Sequence, residues 1–592
     1  MSTPEQRIDG MGAIPVDGGT AFRVWAPNAD AVAVFGDFND WHNDANPLED
    51  EGNGYWYGFV EGAGAGQEYK YQITNGENSF ARVDPYARQV TNSVGNGVIY
   101  DHASYDWEGD TANCPPHHEL VIYELHVGTF TDKHDGVGNL LDAIDRLDHL
   151  VDLGVNAIEI MPVSEFAGDM SWGYNPAHIF AVESAYGGPD GYKTFIKECH
   201  KRGLAVIQDV VYNHFGPSDL DLWTFDGWSE NDKGGIYFYN DHKSQTPWGD
   251  TRPDYGRDEV RQFIRDNAMM WLRDYHVDGL RLDMVPHMYS VSGDYLHDGW
   301  TLMRWITDSM REEFPGRIAI AEDLHKNPLI TSEEADGAGF HAQWDAAFVH
   351  PVREQLIKMD DDHRSITAVA DAIAHHYGDP MERVIYTESH DEVANGRARV
   401  PQEIEPGNAA GWPSQKRSTI GAALVMTAPG IPMMFQGQEF LEGGWFRDDV
   451  PLDWRRRDDF QGIARLYADL IDLRLNRGGV TRGLTGRGLN IYHVNEESNL
   501  LVFQRWMDHG RGDDVLVIVN LSAEAQEKVR IGVPSEGLWK LRFNSDARLY
   551  SSLFGDFESF DFEPFHEDED GLDWHANISI GPYSVLIYSQ DN

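Results

Sequence analysis

The chain has 592 residues, of which 41% are hydrophobic and 12% aromatic, and this composition argues for a folded protein and against intrinsic disorder. Its 98 aspartates and glutamates outnumber its 47 lysines and arginines, so the formal net charge at pH 7 is −51. A surface this acidic repels phosphate backbones and anionic lipid headgroups, which excludes nucleic acid and membranes as expected partners.

The first region, residues 1–110, is predicted to be a β-sandwich. Short runs of alternating or aromatic character are separated by Gly, Asn and Asp, as in a sandwich of short strands. These runs are AFRVWAP (21–27), AVAVFGDF (31–38), YWYGFV (55–60) and YKYQI (69–73).

The second region, residues 111–480, alternates strands with amphipathic helices, which is typical of parallel α/β architecture. The segment 258–275, for example, places its apolar residues on one helical face. Eight strands with helical crossovers favour a closed (β/α)8 TIM barrel over an open sheet. The strands are predicted at 120–128, 157–163, 204–212, 279–283, 317–323, 341–349, 383–391 and 431–439.

Two segments complete the predicted organisation. Residues 213–257 follow the third barrel strand and are long, aromatic and rich in glycine, which indicates a large excursion above the barrel mouth. From residue 481 to residue 592 short apolar strands return, and they predict a C-terminal β-sandwich domain.

Acidic residues stand at or near the ends of four predicted barrel strands: Asp209, Asp283, Glu322 and Asp391. In a (β/α)8 barrel these ends converge on one face, where active sites are built. A single acid at a strand end is commonly a helix cap, but four are difficult to explain in this way. Converging carboxylates suit glycosidic chemistry, because an oxocarbenium-like transition state needs a carboxylate on one face and a proton donor near the leaving oxygen.

Neighbouring residues support this interpretation. Arg281 lies two residues before Asp283, on the same side of the strand, so its charge would keep that carboxylate ionised. Glu322 follows the apolar run IAIA, and partial burial would raise its pKa towards use as a general acid. His214 and His390 are interleaved with the acids. Because the sequence has no HxxEH-like or clustered-histidine motif, we expect no catalytic metal and no cofactor.

Four runs resemble the signature regions of the α-amylase family, in the same order and spacing. They are DVVYNH (209–214), DGLRLDMVPH (278–287), IAIAEDL (318–324) and ESHDE (388–392). The resemblance covers essentially the whole chain. It implies a (β/α)8 barrel with a C-terminal β-sandwich, and a retaining mechanism through a covalent glycosyl-enzyme.

Position by position, the resemblance implies a role for each of these residues. Asp283 matches the nucleophile, Glu322 the general acid/base and Asp391 the third carboxylate, which binds sugar hydroxyls and distorts the ring. The position of Asn213 often ligates calcium in calcium-dependent members, but the sequence identifies no neighbouring ligands. The implied substrate-binding residues are Tyr174, which stacks under the ring in the cleaved subsite, Asp209, His214, Arg281 and His390, with Trp172 either a substrate contact or a packed rim aromatic.

The N-terminal region indicates which reaction the resemblance implies. The runs 22–41 and 68–73 are similar to the carbohydrate-binding module of glycogen-branching and debranching enzymes, with Trp41, Trp56 and Tyr69 as candidate glucan contacts. We therefore predict a 1,4-α-glucan branching enzyme that acts on glycogen, amylose or maltooligosaccharides. Such an enzyme cleaves an α-1,4 bond and transfers the chain to a 6-hydroxyl.

Two features favour the alternative of a retaining hydrolase of maltooligosyl-trehalose or of starch-like glucans. YELHVGTFT (123–131) and DVVYNHFGP (209–217) are more similar to trehalose-releasing hydrolases, and Pro286 precedes His287 where many amylases carry Lys-His. A catalytically inactive glucan-binding relative is a third interpretation, and the complete set of catalytic positions argues against it.

Branching requires an acceptor glucan to outcompete water at the covalent intermediate. The excursion could supply a water-excluding acceptor surface, or it could be a lid that packs on itself, and the sequence leaves both open. The aromatic residues concerned are Trp223, Trp228, Tyr237, Tyr239 and Trp248.

The remaining observations concern the compartment. The sequence starts with no basic stretch followed by an apolar one, and no apolar run reaches the roughly 18 residues that predict a membrane span, so we expect a cytoplasmic protein. Cys114 and Cys199 are too few for a disulfide scaffold and are expected to stay reduced. The acidic residues are spread along the chain, which predicts a salt-adapted, halophilic surface.

Overall fold

The computed structural model describes residues 7–111, 114–133 and 136–592. Its N-terminal part is built from two β-sheets. One sheet has the strand order β1-β2-β6-β5, and the other has the order β4-β3-β7-β10-β9 with β8 paired to β7. Alternate residues of β7 are buried, as expected for a strand with one face on a core. The strands are β1 Gly12–Val16, β2 Gly19–Trp25, β3 Ala31–Gly36, β4 Asn46–Pro47, β5 Glu49–Gly52, β6 Tyr55–Glu61, β7 Glu68–Asn75, β8 Asn78–Arg82, β9 Gln89–Val90 and β10 Gly97–Val98.

Eight parallel strands then close into a barrel in the order β11-β12-β15-β16-β19-β20-β21-β22, which confirms the predicted fold class. The barrel strands are buried along their whole length, because both faces of a parallel sheet are covered. Two short hairpins, β13-β14 and β17-β18, lie outside the barrel. The strands are β11 Ile122–Leu125, β12 Ala157–Ile160, β13 Ser164–Phe166, β14 Pro176–Val182, β15 Ala205–Val210, β16 Gly279–Leu282, β17 Ser290–Val291, β18 Asp294–Tyr295, β19 Ile318–Ala321, β20 Ala342–Trp344, β21 Arg383–Ile385 and β22 Ile431–Phe435.

Helices surround the barrel, and their apolar faces pack on it. In the helix that begins at Asp258, the predicted apolar face is buried at Val260, Phe263 and Trp271. No helix in the described ranges is long and apolar enough to cross a membrane. The helices are α1 Val127–Phe130, α2 Leu140–Ile144, α3 Leu147–Leu153, α4 Gly188–Lys201, α5 Asp258–Asp274, α6 Pro286–Tyr289, α7 His297–Glu313, α8 Ala346–Ile357, α9 Ile366–Ala374, α10 Val400–Ile404, α11 Trp412–Thr427, α12 Arg455–Asp459 and α13 Gln461–Arg474.

The C-terminal part has a five-stranded sheet in the order β23-β24-β25-β30-β27 and a three-stranded sheet in the order β26-β29-β28. The apolar strands predicted from the sequence belong to the first sheet, and the second sheet was missed. Its strand β28 is polar and largely exposed, whereas β29 alternates apolar and polar residues and was overlooked. Cys114 and Cys199, further up the chain, are free thiols. The strands are β23 Gly488–Asn495, β24 Leu500–Trp506, β25 Val515–Asn520, β26 Gln526–Val533, β27 Lys540–Asn544, β28 Phe565–Glu569, β29 Leu572–Ile580 and β30 Ser584–Ser589.

The excursion between β15 and α5 packs against the N-terminal sheets. The backbone N–H and the side-chain amide of Asn28 both donate to Oδ2 of Asp226, each at 2.9 Å. The ring of Trp25 meets that of Tyr237 edge-on, with the ring centres 5.6 Å apart. Tyr237 and Tyr239 are buried and Trp223 and Trp228 are half-buried, whereas Trp248 alone of the five aromatic residues considered above is exposed.

Candidate active site

The predicted acids converge on one end of the barrel. Asp209 lies in β15 and is the ladder partner of Arg281 in β16. Asp283 follows β16 directly, and Glu322 follows β19 directly. Asp391 comes from the loop after β21, a strand that ends earlier than predicted, so this carboxylate is carried by a turn rather than by a strand. These residues share the carboxyl end of the barrel, which is the face where such barrels build active sites.

Arg281 is the centre of this cluster. Its Nη1 donates to Oδ2 of Asp209 at 2.7 Å and to Oδ1 of Asp283 at 3.1 Å. Its Nη2 lies 2.8 Å from Oε2 of Glu322. The guanidinium is fully buried, and its carbon lies 4.3 Å from the centre of the Trp344 ring. A single cation therefore contacts three carboxyl groups and holds them in fixed positions.

Asp283 receives a second donor from Asn213. The side-chain amide of Asn213 donates to Oδ2 of Asp283 at 2.7 Å and to its carbonyl oxygen at 2.8 Å. The same side chain contacts Nδ1 of His214 through its oxygen, at 2.6 Å. Asn213 thus orients Asp283 directly.

In the part of the chain that the structure describes, no group of three or more His, Cys, Asp or Glu residues is arranged to hold a metal ion.

Glu322 is buried, and burial is the main cause that raises its pKa to about 8. The negative charges of Asp283 and Asp391 raise the pKa further, while Arg281 opposes them. Its Oε2 accepts a hydrogen bond from the backbone N–H of Met284 at 2.8 Å. A carboxyl group in this environment is protonated at neutral pH and can deliver a proton to a leaving oxygen.

Tyr174 contacts both Asp209 and His390. Its hydroxyl donates to Oδ2 of Asp209 at 2.6 Å, and its ring stacks on His390 with the ring centres 4.9 Å apart. Burial raises the pKa of Asp209 to about 7, although Arg281 lowers it. The sequence predicted that these residues would meet, and the structure brings them together.

His390 depends on a residue that sequence reasoning missed. Its Nδ1 donates to Oε1 of Glu124, and its backbone N–H donates to Oε2 of Glu124 at 3.1 Å. Burial alone would lower the pKa of His390, but Asp391 and Glu124 outweigh burial and raise it to about 9. The signal for Glu124 was a charged residue inside the apolar run VIYEL.

A second unpredicted glutamate, Glu159, is the ladder partner of Glu124 on the neighbouring strand. It is buried, and its Oε2 has no hydrogen-bond partner among the described residues. Burial raises the pKa of Glu159 well above its usual range, Arg281 opposes this, and the charges of Glu124 and Asp209 add to it. Glu159 is therefore a neutral carboxyl group beneath the charged cluster.

His214 follows Asn213 at the start of the excursion and borders the cluster there. Burial lowers the pKa of His214 to about 4, so its ring is neutral. The ring stacks in parallel on Trp248, with the centres 4.3 Å apart and the planes at 14°. Trp248 also meets the ring of His287 edge-on at 5.3 Å. The His287 backbone N–H donates to the Met284 carbonyl at 3.0 Å, which places Trp248 on the same side as Glu322.

Trp172 is half-buried on the other rim. Its ring lies edge-on to His390 at 5.6 Å and tilted against Phe446 at 5.3 Å. Asp391 is partly exposed, and its Oδ2 lies 3.5 Å from Nε2 of His390. Asp391 is the most exposed of the four acids, with 39% of its side chain exposed against 9% for Asp283, 2% for Asp209 and 1% for Glu322.

The three aromatic candidates in the N-terminal region differ in exposure. Tyr69 is buried and its hydroxyl donates to Asp84 at 2.8 Å, so the prediction that it contacts glucan is wrong: it is a core residue. Trp56 is half-buried, and its Nε1 donates to the carbonyl of Ala26 at 3.1 Å. Only Trp41 is exposed, with its Nε1 bonded to Asp37 at 2.9 Å.

Three family models match the chain. Residues 10–87 match carbohydrate-binding module 48 (isoamylase N-terminal domain), and residues 124–224 match the α-amylase catalytic domain. Residues 491–591 match the α-amylase C-terminal all-β domain. The three matches follow the order of the N-terminal sheets, the barrel and the C-terminal sheets.

Relatives with similar sequences extend along nearly the whole chain. The chain is 32% identical to the 1,4-α-glucan branching enzyme GlgB of Salinibacter ruber, over 98% of this chain and 96% of that protein. It is 30% identical to the enzyme of the same name from Corynebacterium jeikeium, over 91% of this chain and 78% of that protein.

Solved structures with the same fold include pullulanases. A pullulanase from Anoxybacillus sp. LM18-11 complexed with maltotetraose has a TM-score of 0.77 and 21% identity, over 98% of this chain and 88% of that one. A pullulanase from Paenibacillus barengoltzii, in complex with maltohexaose and α-cyclodextrin, has a TM-score of 0.77 and 21% identity, over 99% and 96% of the two chains. At this identity the likeness supports the fold alone.

Proposed function

The chain belongs to the α-amylase family, with 1,4-α-glucan branching enzymes as its relatives, and we propose that it cuts α-1,4 bonds in glucans and rejoins the cut chain to a 6-hydroxyl. Family membership confirms the prediction made from the signature runs. The observation that carries the chemistry is that Asp283 and Glu322 contact one buried guanidinium, that of Arg281. Two carboxyl groups held this close suit a retaining pair.

In the first step, Asp283 attacks the anomeric carbon of the donor chain and a covalent glycosyl-enzyme forms. The bond between that carbon and the glycosidic oxygen breaks, and Glu322 delivers its proton to the leaving oxygen. Asp283 is suited to the attack because Arg281 and Asn213 both donate to its oxygens and hold them in place. The leaving chain departs with a new hydroxyl group.

In the second step, Glu322 acts as a base. It takes the proton from the 6-hydroxyl of an acceptor glucan, whose oxygen attacks the anomeric carbon and releases Asp283. Each step inverts the anomeric carbon, so the product keeps the α configuration. If water takes the place of the acceptor, the result is hydrolysis.

The surrounding residues bind the sugar at the cut. Tyr174 offers an aromatic ring to the apolar face of the pyranose. Asp391, whose carboxylate is open to the cleft, accepts hydrogen bonds from ring hydroxyls. His390, whose pKa Asp391 and Glu124 raise to about 9, donates to sugar oxygens as a cation, and His214 contributes a neutral ring nitrogen.

The acceptor chain lies on the Glu322 side of the cut, because the general acid must stand next to the leaving oxygen. The loop that carries His287 lies on that side, because the backbone N–H of Met284 donates to Glu322, and Trp248 packs on His287. A flat indole there would bind the acceptor and displace water. Another part of the excursion, with Asp226 and Tyr237, packs against the N-terminal sheets, so one segment would serve both as a lid and as an acceptor surface.

Each of the three regions of the chain has a proposed role. We assign residues 1–110 to a glucan-binding module in which Trp41 is the exposed contact, residues 111–480 to the catalytic barrel and residues 481–592 to a C-terminal sandwich. We further propose a cytoplasmic, salt-adapted enzyme whose partners are glycogen, amylose and maltooligosaccharides rather than nucleic acid or membranes.

Proton NMR of amylose incubated with the enzyme in high salt would test the reaction. We expect the α-1,6 anomeric signal to grow without a matching rise in reducing ends. Reducing ends without α-1,6 signals would mean that water intercepts the intermediate, and maltooligosyl-trehalose would then be the next substrate to try. The Asp283→Asn variant is the control that should show neither signal.

A further inference from the structure

Three of the eighteen tryptophans have exposed side chains, and all eighteen lie within the described residues. Trp41 is 37% exposed on the N-terminal sheets and Trp248 is 41% exposed beside His287. The third, Trp445, is 60% exposed. Moving the apolar surface of an exposed indole from water into contact with another apolar surface is favourable, so an exposed ring can bind a ligand with an apolar face.

Trp445 is held at the rim of the barrel mouth, in the loop after β22. The backbone N–H of Phe446 donates to the carbonyl of Val393 at 2.8 Å. On the other side of the indole, the carbonyl of Gly444 accepts from the backbone N–H of Arg399 at 2.8 Å. Both neighbours of Trp445 are thus fixed to the loop that carries Asp391, so the exposure of the indole is set by the fold.

The position of Trp445 relative to the cut bond follows from its neighbour. The ring of Phe446 is buried and packs on Trp172, which lies edge-on to His390. Trp445 follows β22 and His287 follows β16, and these strands are four positions apart in the ring of eight, so this rim is opposite the one formed by His287 and Trp248. Because the acceptor lies beside the general acid, the rim that carries Trp445 faces the donor chain.

We infer that Trp445 is a remote donor subsite, on which a glucosyl unit of the chain to be transferred stacks its apolar face. Next to it, the exposed Arg447 donates to Asp449 through Nε at 2.8 Å and through Nη2 at 2.6 Å, and this pair offers donors and acceptors to sugar hydroxyls. The inference rests on the proposed function for the direction of the chain. It adds a site that selects donors by length.

The test is a binding measurement by calorimetry, made in the Asp283→Asn background so that bound glucan is not consumed. Trp445→Ala should leave the affinity for maltotriose unchanged and lower the affinity for long linear maltooligosaccharides roughly three- to tenfold, as expected for one lost aromatic contact. Trp445→Phe should retain most of the long-chain affinity. Phe560→Ala is the matched control, since this ring is 69% exposed in the C-terminal region.

Two outcomes would overturn the inference. Unchanged affinity for long chains would show that the indole contacts no sugar. Equal losses for maltotriose and for long chains would show that the substitution disturbs the central site instead. Neither depends on whether the enzyme branches or hydrolyses, because the NMR experiment decides that separately. In the active enzyme, Trp445→Ala should also shift the length distribution of transferred chains after debranching.

Discussion

Nη2 of Arg281 lies 2.8 Å from Oε2 of Glu322, yet burial raises the pKa of this glutamate to about 8. The two facts are compatible because the guanidinium also contacts Asp209 and Asp283. The charge of Arg281 is thus shared among several carboxyl groups, and burial outweighs its effect on Glu322. Glu322 therefore keeps a proton, which is what a general acid requires.

Asp283→Ala should remove activity while leaving the fold intact. We expect a loss on the order of 10⁴-fold or more in kcat/KM on amylose, because no covalent intermediate can form. Calorimetric unfolding would check the fold, and Asp152→Ala, at an exposed carboxylate of α3, is the control. Turnover of even a few per cent would contradict the assignment of the nucleophile.

Activity should fall as the pH rises through about 8, because Glu322 must be protonated to act as an acid and its pKa is raised to about 8. The pH profile of kcat/KM measures this limb. For stability, the folded state binds the proton more tightly than the unfolded state, whose value is near 4.5. This group therefore makes the free energy of unfolding decrease from about pH 4.5 to about pH 8. Glu322→Gln should flatten that slope, and an unchanged slope would argue against a buried, protonated Glu322.

Glu124 and Glu159 should differ in their response to the same substitution, although they are ladder partners. Glu124→Gln weakens the two hydrogen bonds that orient His390 and removes one of the two causes that raise its pKa, the other being Asp391, so kcat/KM should fall roughly tenfold or more. Glu159→Gln replaces a neutral carboxyl with a neutral amide and should change kcat/KM little. The pH profile on amylose checks both variants. Equal losses of kcat/KM in the two variants would mean that Glu159 is ionised in the working enzyme.

Trp248→Ala should raise hydrolysis relative to transfer, roughly three- to tenfold, because an acceptor platform is lost and water gains access. The ratio of reducing ends to α-1,6 linkages measures the change. Trp506 is the matched control, since it stacks on His509 with the ring centres 4.3 Å apart in the C-terminal region, far from the barrel mouth. An unchanged ratio in Trp248→Ala would place the acceptor elsewhere.

The thermal midpoint of unfolding should rise when salt is added to a low-salt solution. A formal net charge of −51 makes the folded state repel itself, and the screening length shortens from about 30 Å at 0.01 M to about 3 Å at 1 M ionic strength. Scanning calorimetry across this range is the measurement. A midpoint that does not change with salt would contradict the prediction of a salt-adapted surface.

The barrel and its acids could be predicted because their signals are local. Each barrel strand is a short apolar run, and Asp283 and Glu322 directly follow such runs. The polar strand β28, by contrast, has the sequence FHEDE and is largely exposed, so no hydrophobic pattern marks it. A strand of this kind is defined by its ladder partner rather than by its own residues.

The contacts that position the active-site side chains could not be predicted, because they join residues that are distant in the chain. Glu124 and His390 are 266 positions apart and meet only when the barrel closes. The same holds for Trp248, whose ring meets His214 and His287, two residues that are distant from it in the chain. Neither contact can be predicted from the secondary-structure propensity of the residues or from the periodicity of apolar positions. A single charge inside the apolar run around Glu124 was the only local sign.

The hydrogen bonds from Asn28 to Asp226 have a consequence for how the chain could be shortened. Arg82 adds to them, since its guanidinium donates to the carbonyls of Phe225 and Thr224 at 3.0 Å each. The N-terminal sheets thus hold residues 224–226 of the excursion that also carries Trp248. Replacing them with a different carbohydrate-binding module would remove these hydrogen bonds, and we expect the ratio of transfer to hydrolysis to change as a result.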